Sequence, residues 1–454
     1  MQTSDTEWMD KDLTKSLRVS VIGTGYLGTT HAAGMAELGH QVIGMDTDED
    51  KVARLSAGQV PFYEPGLPEL LQRGLASGRL SFTTDYAEVA AKADIHFVCV
   101  GTPQQFGNDA ADLRYVDASM RSLAAELTTP CLVVGKSTVP AGTARRLASR
   151  LRQEAPAGDD VELAWNPEFL REGYAVQDTL QPDRLVFGVS TASSEQRLRD
   201  VYAKVISDND CPVVVTDLAT AELVKVAANS FLATKISFIN AMAEICEITG
   251  ADVTTLAEAL GHDSRIGPRF LKAGLGFGGG CLPKDIRAFM ARAEELGVVQ
   301  AVAFLREVDA INLRRRARMI DLAVEELGGQ VDGKRIGVWG ASFKPDSDDI
   351  RDSPALDVAS ALQSRGADVG VYDPQAMDNA RKKYPELGYC RSAVDAAEGA
   401  DLILHLTEWE EFRMLEPEKL DGVIRSKHIL DGRSALDPES WRAAGWTFRA
   451  LGRP

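Results

Sequence analysis

Two segments of this chain, far apart in sequence, share one order of elements. Residues 18–46, RVSVIGTGYLGTTHAAGMAELGHQVIGMD, have the pattern of a strand, a glycine-rich turn, a helix and a strand, and residues 335–373 repeat that order with a longer turn. Each segment is followed by a further strand-like apolar run, at 93–103 and at 400–409. Buried strands that alternate with helices are typical of parallel α/β sheets. We therefore predict an α/β fold with two Rossmann-like, doubly wound domains, one toward each end of the chain.

The region between these two segments has a different pattern. Residues 217–260 contain no proline, and apolar residues recur there every three or four positions, as on one face of a helix. Residues 286–328 also have a helical pattern. A long helical region between two such domains predicts a connector through which the chain forms a homodimer or a higher homo-oligomer.

A basic cluster, RRRAR at 314–318, lies in the second helical stretch. Such clusters bind nucleic acid in some proteins, but within a helix they more often form a solvated or interface face, which is the interpretation we favour. The whole chain carries a formal net charge of −17, from 50 Lys and Arg against 67 Asp and Glu. A field of that sign repels nucleic acid and anionic membranes, so we expect neither as a partner.

Neither a membrane span nor a secretion signal is predicted. No run reaches the roughly 18 consecutive apolar residues that a membrane helix needs, and the first seventeen residues have no apolar signal core. Neither the histidines nor the cysteines show metal-ligand spacing. The six cysteines are widely spaced, which favours reduced thiols and a cytoplasmic location; they are Cys99, Cys131, Cys211, Cys246, Cys281 and Cys390.

The first glycine-rich turn predicts a dinucleotide site. Gly23, Gly25 and Gly28 form GxGxxG after a strand and at the start of a helix, where they allow a tight turn, close approach of a pyrophosphate and packing of helix on strand. Asp46 ends the second strand, where a carboxylate accepts hydrogen bonds from ribose hydroxyls and repels a 2′-phosphate. The pattern therefore predicts NAD as the cofactor in preference to NADP.

The corresponding turn of the second segment lacks this pattern. It has Gly340-Ala341-Ser342-Phe343-Lys344, with a lysine in place of the third glycine. This difference points to another nucleotide, such as that of the substrate. The acidic run that follows, within 343–354, does not match the spacing of an EF-hand calcium loop.

A cysteine flanked by glycines is the strongest chemical signal. In GFGGGCLPKD, residues 276–285, the glycines allow close approach to Cys281, and Leu282-Pro283 suits the first turn of a helix. The thiol would then lie at a helix N-terminus, which stabilises thiolate, with Asp285 on the same helical face. This arrangement predicts covalent catalysis with a carboxylate available as general base. A glycine-rich hinge with an incidental cysteine is the alternative.

Further candidates lie on the central helix and after a predicted strand. Lys225 and Asn229 are four residues apart among apolar neighbours, so they need a polar partner or a ligand, and could stabilise an oxyanion. A lysine that extends its charge to solvent, beside an ordinary helix asparagine, is the interpretation that these residues alone favour. Glu168, in NPEFLREG at 166–173, is available to accept protons or to order water.

Six motifs taken together resemble the nucleotide-sugar 6-dehydrogenase family, most closely its UDP-glucose branch. They are GTGYLG, KSTVPAGT (136–143), NPEFLREG, KVAAN (225–229), GFGGGCLPKD and FKPDSDDIRDSP (343–354), and they occur in the family's order between about residues 18 and 433. The resemblance implies a four-electron oxidation of the sugar C6 hydroxyl to a carboxylate with two NAD per turnover. By similarity, Cys281 would form a thiohemiacetal and then a thioester.

The resemblance also implies roles for individual residues. The implied catalytic residues are Cys281, Lys225, Asn229, Asp285, Glu168 and Thr138. The implied cofactor-binding residues are Gly23, Gly25, Tyr26, Leu27, Gly28, Asp46, Lys51, Thr102, Thr138, Glu172 and Arg351. The implied substrate-binding residues are Glu168, Phe169, Leu170, Lys225, Asn229, Arg265, Phe270, Leu271, Gly274, Phe277, Gly278, Phe343, Lys344 and Arg433. Arg265 would act across a dimer interface.

With this resemblance, the predicted boundaries are 1–17 for an N-terminal extension, 18–210 for an NAD-binding domain, 211–330 for the helical connector and 331–454 for a nucleotide-sugar-binding domain. The extension has no counterpart in the family.

Two departures from the family pattern concern the substrate side. Tyr174 stands where a small residue is common, and Gly280 where serine is frequent. The alternatives that remain open are dTDP-glucose, GDP-mannose or UDP-N-acetylmannosamine as substrate, and, in a different class, a non-catalytic NAD-binding regulator.

Overall fold

The structure is a computed structural model in which residues 15–453 are described. The predicted N-terminal extension therefore lies outside the described residues except for its last three positions. The chain divides into two compact units, and the division falls between Val226 and Ala227. That point lies inside one continuous helix, Leu218–Thr249.

The first unit is built on one eight-stranded sheet. Its strands are β1 (Arg18–Ile22), β2 (Gln41–Met45), β3 (Leu80–Thr83), β4 (Ile95–Val98), β5 (Cys131–Gly135), β6 (Val161–Trp165), β7 (Leu185–Gly188) and β8 (Val213–Thr216). They are ordered β3-β2-β1-β4-β5-β6-β7-β8. Every neighbouring pair is parallel except β6 with β7, which is antiparallel. That one pair departs from the predicted parallel sheet.

Helices of the first unit alternate with these strands. They are α1 (Tyr26–Glu37), α2 (Glu49–Ser56), α3 (Leu67–Ala76), α4 (Tyr86–Lys92), α5 (Arg114–Glu126), α6 (Thr143–Glu154), α7 (Ala175–Leu180), α8 (Ala192–Val201) and α9 (Ala203–Asn209). Side chains from alternate positions of β4 enter two different core clusters, Phe97 one and Val98 the other. Both faces of the sheet are thus buried, which explains the continuous apolar runs of its central strands.

The second unit contains a six-stranded, fully parallel sheet. Its strands are β9 (Arg335–Trp339), β10 (Asp368–Tyr372), β11 (Gly388–Tyr389), β12 (Leu402–His405), β13 (His428–Asp431) and β14 (Thr447–Ala450). Their order is β11-β10-β9-β12-β13-β14. The prediction of two doubly wound α/β sheets is confirmed.

The central and C-terminal helices follow in chain order. They are α10 (Leu218–Thr249), α11 (Val253–Gly261), α12 (Leu282–Glu295), α13 (Phe304–Glu326), α14 (Pro354–Gln363), α15 (Met377–Lys383), α16 (Ala393–Ala397), α17 (Glu410–Arg413) and α18 (Pro438–Ala443). The helical patterns at 217–260 and 286–328 therefore predicted helices correctly, although each stretch contains a break.

The basic cluster on α13 differs from the predicted solvated or interface face. Arg314 has a side chain that is 51% exposed, but Arg315 and Arg316 are buried. Burial is possible because Glu247 binds Arg315, and Asp352 and Asp357 bind Arg316. Paired charges of this kind lose less on leaving water than isolated ones.

Within residues 15–453, no helix combines the length and apolar character needed to cross a bilayer. The same part of the chain holds no group of three or more His, Cys, Asp or Glu side chains arranged to bind a metal ion.

Candidate functional site

The glycine-rich turn after β1 has the geometry of a phosphate-binding turn. Gly23 has a φ of +89°, and a Cβ there would lie 2.8 Å from the Val100 side chain. A Cβ at Gly28 would lie 1.8 Å from the carbonyl oxygen of Gly23. At Gly25 nothing lies within 4 Å, so this face of the turn is open to a ligand at the N-terminus of α1. The three glycines therefore suit the three roles predicted for them.

Asp46 follows β2 and bonds to the same turn. Its carboxylate accepts hydrogen bonds from the backbone N–H of Thr24 at 2.9 Å and from Lys51 Nζ at 2.8 Å. Burial acts to raise the pKa of Asp46, but the hydrogen bonds from Lys51 and from backbone N–H groups outweigh it, so the pKa lies below its usual value. Asp46 is therefore an anion held at the position that a dinucleotide's ribose occupies in such turns.

Glu64 connects two predicted motifs, and sequence reasoning missed it. Tyr26, within GTGYLG, donates its hydroxyl to Glu64, and the same carboxylate accepts the backbone N–H groups of Gly173 and Ala175, both at 2.7 Å. Burial, with the adjacent Glu64 charge, raises the pKa of Tyr26. The cofactor turn and the end of NPEFLREG are thus tied through one buried side chain. No local pattern around Glu64 could have indicated this contact.

Lys225 and Glu168 form a buried ion pair in the first unit. The distance from Lys225 Nζ to Glu168 Oε1 is 3.0 Å, and the two side chains are only 6% and 13% exposed. The second oxygen of Glu168 accepts the backbone N–H of Leu170 at 2.6 Å. Lys225 Nζ also lies 5.6 Å from the centre of the Phe169 ring. The interpretation in which Lys225 extends its charge to solvent is therefore wrong.

A second buried lysine, Lys136 of KSTVPAGT, was not predicted as a functional residue. Its ammonium donates to Asn166 Oδ1 at 2.9 Å, and the hydroxyl of Tyr202 donates to the same oxygen at 2.7 Å. Burial lowers the pKa of Lys136 to about 8, although the thiol of Cys99 and the carboxylate of Glu168 act in the opposite direction. Lys136 therefore holds Asn166, the first residue of NPEFLREG, in place.

Cys281 differs from the five other cysteines, because it is exposed and they are buried. It is the N-cap residue of α12, and the backbone N–H of Asp285 donates to its carbonyl oxygen at 2.9 Å. The predicted placement of Cys281 at a helix start, one turn before Asp285, matches the structure.

Asp285 is 1% exposed and has both oxygens occupied. Asn229 Nδ2 donates to one oxygen and Lys284 Nζ to the other, each at 2.6 Å. The polar partner that Asn229 was expected to need is therefore Asp285, 56 positions away.

The glycines before Cys281 lie directly against other side chains. A Cβ at Gly279 would lie 2.8 Å from the Phe343 ring, and one at Gly280 would lie 2.2 Å from the guanidinium carbon of Arg351. Arg351 is held at that place by Asp349, at 2.7 Å. Glycine at position 280, where the family frequently has serine, therefore leaves room for the Arg351 guanidinium. A larger residue would displace it.

Arg433 lies at the junction of three loops of the second unit. Its guanidinium donates to the carbonyl oxygens of Leu406 at 2.7 Å, Gly276 at 3.0 Å and Phe343 at 3.1 Å. Its side chain is 10% exposed. In this arrangement Arg433 braces the loops that carry the predicted substrate residues.

The remaining predicted residues are more dispersed. Thr102 is buried and donates to the carbonyl oxygen of Thr138 at 2.7 Å, which places these two together. Arg265 is 87% exposed in its side chain and pairs with Asp263. Phe270 adopts a φ of +64° next to the buried Leu271, and Lys344 Nζ lies 5.5 Å from the centre of the Phe343 ring. Tyr174 is 49% exposed before α7.

Three stretches of the chain match one family. The matches are the NAD binding domain of the UDP-glucose/GDP-mannose dehydrogenase family over residues 17–206, its central domain over 219–314, and its UDP binding domain over 337–438. The chain belongs to the UDP-glucose/GDP-mannose dehydrogenase family. The resemblance inferred from the six motifs is thereby confirmed.

Individual members of this family match nearly the whole chain. The UDP-glucose 6-dehydrogenase of Rhizobium meliloti (strain 1021) is 41% identical, covering 96% of this chain and 100% of the relative. A solved UDP-glucose dehydrogenase from Pyrobaculum islandicum has a TM-score of 0.89 at 39% identity, covering 97% and 99% of the two chains. A UDP-D-ManNAc dehydrogenase from Pyrococcus horikoshii has a TM-score of 0.83 at 26% identity, covering 96% and 99%.

Membership in the UDP-glucose/GDP-mannose dehydrogenase family defines the chemistry in outline. The chain is an NAD-dependent oxidoreductase, and its C-terminal part is the family's UDP-sugar-binding domain. The open face at Gly25 and the carboxylate of Asp46 suit NAD, so the predicted cofactor agrees with both the family and the site.

Asp46 is expected to set the preference for NAD over NADP. In Asp46→Ala the repulsion of a 2′-phosphate is lost and Lys51 becomes available to pair with it. We expect the ratio of kcat/KM for NADP to that for NAD to rise by about 100-fold, measured by initial rates of reduced cofactor formation.

Asp50→Asn is the matched control, because Asp50 is an exposed acid on α2 close in sequence to Asp46. It should leave the ratio unchanged. Equal efficiency of the unmodified protein with both cofactors would contradict the role given to Asp46.

Lys136 is expected to make stability depend on pH. Its folded pKa of about 8 lies below the value of about 10.4 for an unfolded lysine. Between these values the unfolded state binds the proton and the folded state does not, so the free energy of unfolding rises with pH. Relative to Lys136→Met, the natural protein should gain about 2 kcal/mol between pH 7.5 and pH 10, measured by denaturant unfolding.

Lys204→Met serves as the control, since Lys204 is an exposed lysine of α9. Its unfolding curves should follow those of the natural protein at every pH. Parallel pH dependence in the natural protein and Lys136→Met would disprove the effect.

Proposed function

We propose that this chain oxidises the C6 hydroxymethyl group of UDP-glucose to a carboxylate, with two NAD consumed per turnover. The observation that carries the proposal is Cys281, an exposed thiol at the N-terminus of α12 with the buried Asp285 one turn later. The choice of sugar is supported by relatives named UDP-glucose 6-dehydrogenase, of which the R. meliloti protein matches over its full length.

The first half of the proposed reaction produces an aldehyde. Bound NAD supplies the hydride acceptor for each oxidation. The sugar hydroxyl loses its proton as C6 loses a hydride, and the Cys281 thiolate then adds to the aldehyde carbon to form a thiohemiacetal. An alkoxide develops on the sugar oxygen in both events. Lys225, buried and cationic, and the amide of Asn229 are suited to stabilise that charge.

The second half converts the thiohemiacetal to the acid. Loss of a second hydride and a proton leaves a thioester on Cys281. Water then adds to its carbonyl carbon, the carbon–sulfur bond breaks, and the thiol and the carboxylic acid are released. Asp285 and Glu168 are proposed to activate this water, and Thr138 to help hold it. Both carboxylates are fixed by cationic or amide donors, which supports a role that depends on orientation.

Substrate and cofactor contacts follow the motifs. We propose that Arg351 reaches the cofactor pyrophosphate, and that the loops around Phe270, Phe277 and Phe343 line the nucleotide sugar. Lys344 is proposed to contact the nucleotide in the C-terminal domain, and Arg265 to reach the sugar or a phosphate across the dimer interface. The domain boundaries 18–210, 211–330 and 331–454 stay part of this proposal, and the matched family domains support them.

Cys281→Ser is expected to distinguish a nucleophilic role of Cys281 from a structural one. The hydroxyl is nearly isosteric but is hardly ionised at neutral pH, so uronate formation should fall by several orders of magnitude while substrate binding persists. The natural protein should yield two NADH per UDP-glucose, measured by absorbance. Its kcat/KM for UDP-glucose should exceed that for dTDP-glucose, GDP-mannose and UDP-N-acetylmannosamine.

Asp285→Asn is the companion variant. It should allow the thioester to form and slow its hydrolysis, so that intact-mass spectrometry detects a sugar-nucleotide adduct on Cys281. Near-natural uronate formation by Cys281→Ser would make Cys281 structural. Absence of turnover with every nucleotide sugar would favour the non-catalytic NAD-binding regulator.

We also propose that the chain forms a homodimer through α10. Its exposed apolar residues include Phe231, Phe238 and Ile245, which are seven residues apart and 67%, 48% and 53% exposed. Smaller residues with the same spacing, Ala227, Thr234 and Ala241, alternate with them. Large residues that alternate with small ones at heptad spacing can interdigitate with a second copy across a two-fold axis.

Phe238→Glu should weaken this dimer, because a charge would be buried at the centre of the proposed interface. We expect the molar mass from light scattering to fall from that of two chains to that of one at micromolar concentration. Leu296→Glu is the control, since Leu296 is a similarly exposed apolar residue at the end of α12. A natural protein that is already monomeric would contradict the proposal.

We further propose a cytoplasmic location. The five buried cysteines, Cys99, Cys131, Cys211, Cys246 and Cys390, are free thiols, which is the state expected in a reducing compartment.

A further inference from the structure

The backbone that leads to Cys281 is held by partners at almost every step from Gly274 to Gly279. The N–H of Gly274 donates to Asn240 at 2.8 Å, and the N–H of Leu275 donates to the carbonyl of Gly432 at 2.9 Å. The N–H of Gly279 donates to the carbonyl of Arg351, also at 2.8 Å. A glycine-rich segment would otherwise have many accessible conformations, so these contacts remove most of its freedom.

Asn312 of α13 binds both polar backbone groups of Phe277. Its Oδ1 accepts the Phe277 N–H at 2.7 Å, and its Nδ2 donates to the Phe277 carbonyl oxygen at 3.0 Å. Asn312 is fully buried, and a Cβ at Gly276 would lie 2.1 Å from its Oδ1. The Asn312 amide thus makes the two hydrogen bonds with Phe277 that a neighbouring β-strand would make. It can come this close because residue 276 is a glycine and has no Cβ.

Two arginines from the basic cluster hold the same segment. Arg316 donates to the Phe277 carbonyl at 3.2 Å and is anchored by Asp352 at 2.8 Å and by Asp357. Arg315 donates to the Gly274 carbonyl at 3.4 Å and is anchored by Glu247 at 2.9 Å. Both side chains are buried, so they do not contact solvent or lie free for a ligand. Their role is to hold backbone carbonyls.

This arrangement has a direct consequence for the thiol. Phe277 lies four residues before Cys281, and no regular element separates them. A nucleophile must be placed to within a fraction of an ångström of its target carbon, and a displacement of about 1 Å can cost about 100-fold in rate. The orientation of Cys281 at the start of α12 therefore depends on how firmly the Phe277 backbone is held.

We propose that Asn312 and Arg316 are positioning residues that set the place of the Cys281 thiol by fixing the Phe277 backbone. The proposal rests on the proposed function, in which Cys281 is the nucleophile. Neither residue takes part in bond making. Each acts through the peptide groups that it binds. Arg316 thus gives the basic cluster RRRAR a positioning role that the sequence did not indicate.

The test compares Asn312→Ala and Arg316→Lys with the natural protein. We expect kcat with UDP-glucose to fall about 100-fold in Asn312→Ala and about tenfold in Arg316→Lys, which keeps the charge but loses the planar fork. KM for NAD should stay within threefold. The pH midpoint for alkylation of Cys281 by iodoacetamide, followed by peptide mass spectrometry, should move upward, because the thiol is less well placed at the helix N-terminus.

Arg306→Ala is the control, because Arg306 is an exposed arginine on the same helix, and it should change neither measurement. Rates are expressed per NAD-binding site, so that loss of folded protein is not counted as loss of rate. Natural values of kcat and of the alkylation midpoint in both variants would overturn the proposal. If Asn312→Ala does not fold, the result for Arg316→Lys alone decides.

The outcome is separable from failure of the proposed function. Activity retained in Cys281→Ser would remove the nucleophile itself, whatever the Asn312 and Arg316 variants do. An inactive Cys281→Ser together with fully active Asn312 and Arg316 variants would reject only the positioning role.

Discussion

At the carboxyl ends of the central strands, the backbone passes too close to its neighbour for any residue larger than glycine. Gly23 follows β1 next to Val100, and Gly340 follows β9, where a Cβ would lie 2.4 Å from the Thr407 side chain. Both glycines also have a positive φ. In the first unit this turn directs the chain into α1 and leaves the N-terminal N–H groups of that helix facing an open site. The position of the candidate cofactor site follows from that one close approach.

The two sheets have the same order of elements, but the aspartate that follows the second strand has different surroundings in each. Asp46 and Asp373 each follow the second strand of their sheet. The Asp46 side chain is 12% exposed, whereas Asp373 is 1% exposed and accepts the N–H groups of Ala341 and Ser342 at 2.8 and 3.0 Å and the indole N–H of Trp409 at 3.1 Å. Because its hydrogen-bonding capacity is used within its own unit, Asp373 has little left for a ribose. The internal repeat is thus a repeat of fold and not of cofactor site.

Features with a local pattern could be predicted from the sequence. The strands, the GxGxxG turn, Asp46 and the helix start at Cys281 depend on residues that are close in the chain. Glu64 and Asn312 could not be predicted, because their function lies in contacts with distant backbone, 109 positions away for Glu64 and Gly173 and 35 for Asn312 and Phe277. Arg315 and Arg316 were misjudged for the same reason. Local charge density indicated a solvated face, whereas carboxylates from other elements made burial possible.

The contrast between Cys281 and the other cysteines has a consequence for the lifetime of the protein. Burial raises the pKa of Cys99 to about 12 and that of Cys131 to about 11, and it raises those of Cys211, Cys246 and Cys390 as well. These thiols are therefore protonated and shielded at neutral pH. Peroxide reaches exposed cysteines first, so Cys281 is the cysteine of the described residues most open to oxidation. With Cys281 in its proposed role as nucleophile, such a protein would lose activity before it loses structure, and a thiol reductant would restore it as long as oxidation stops at the sulfenic acid.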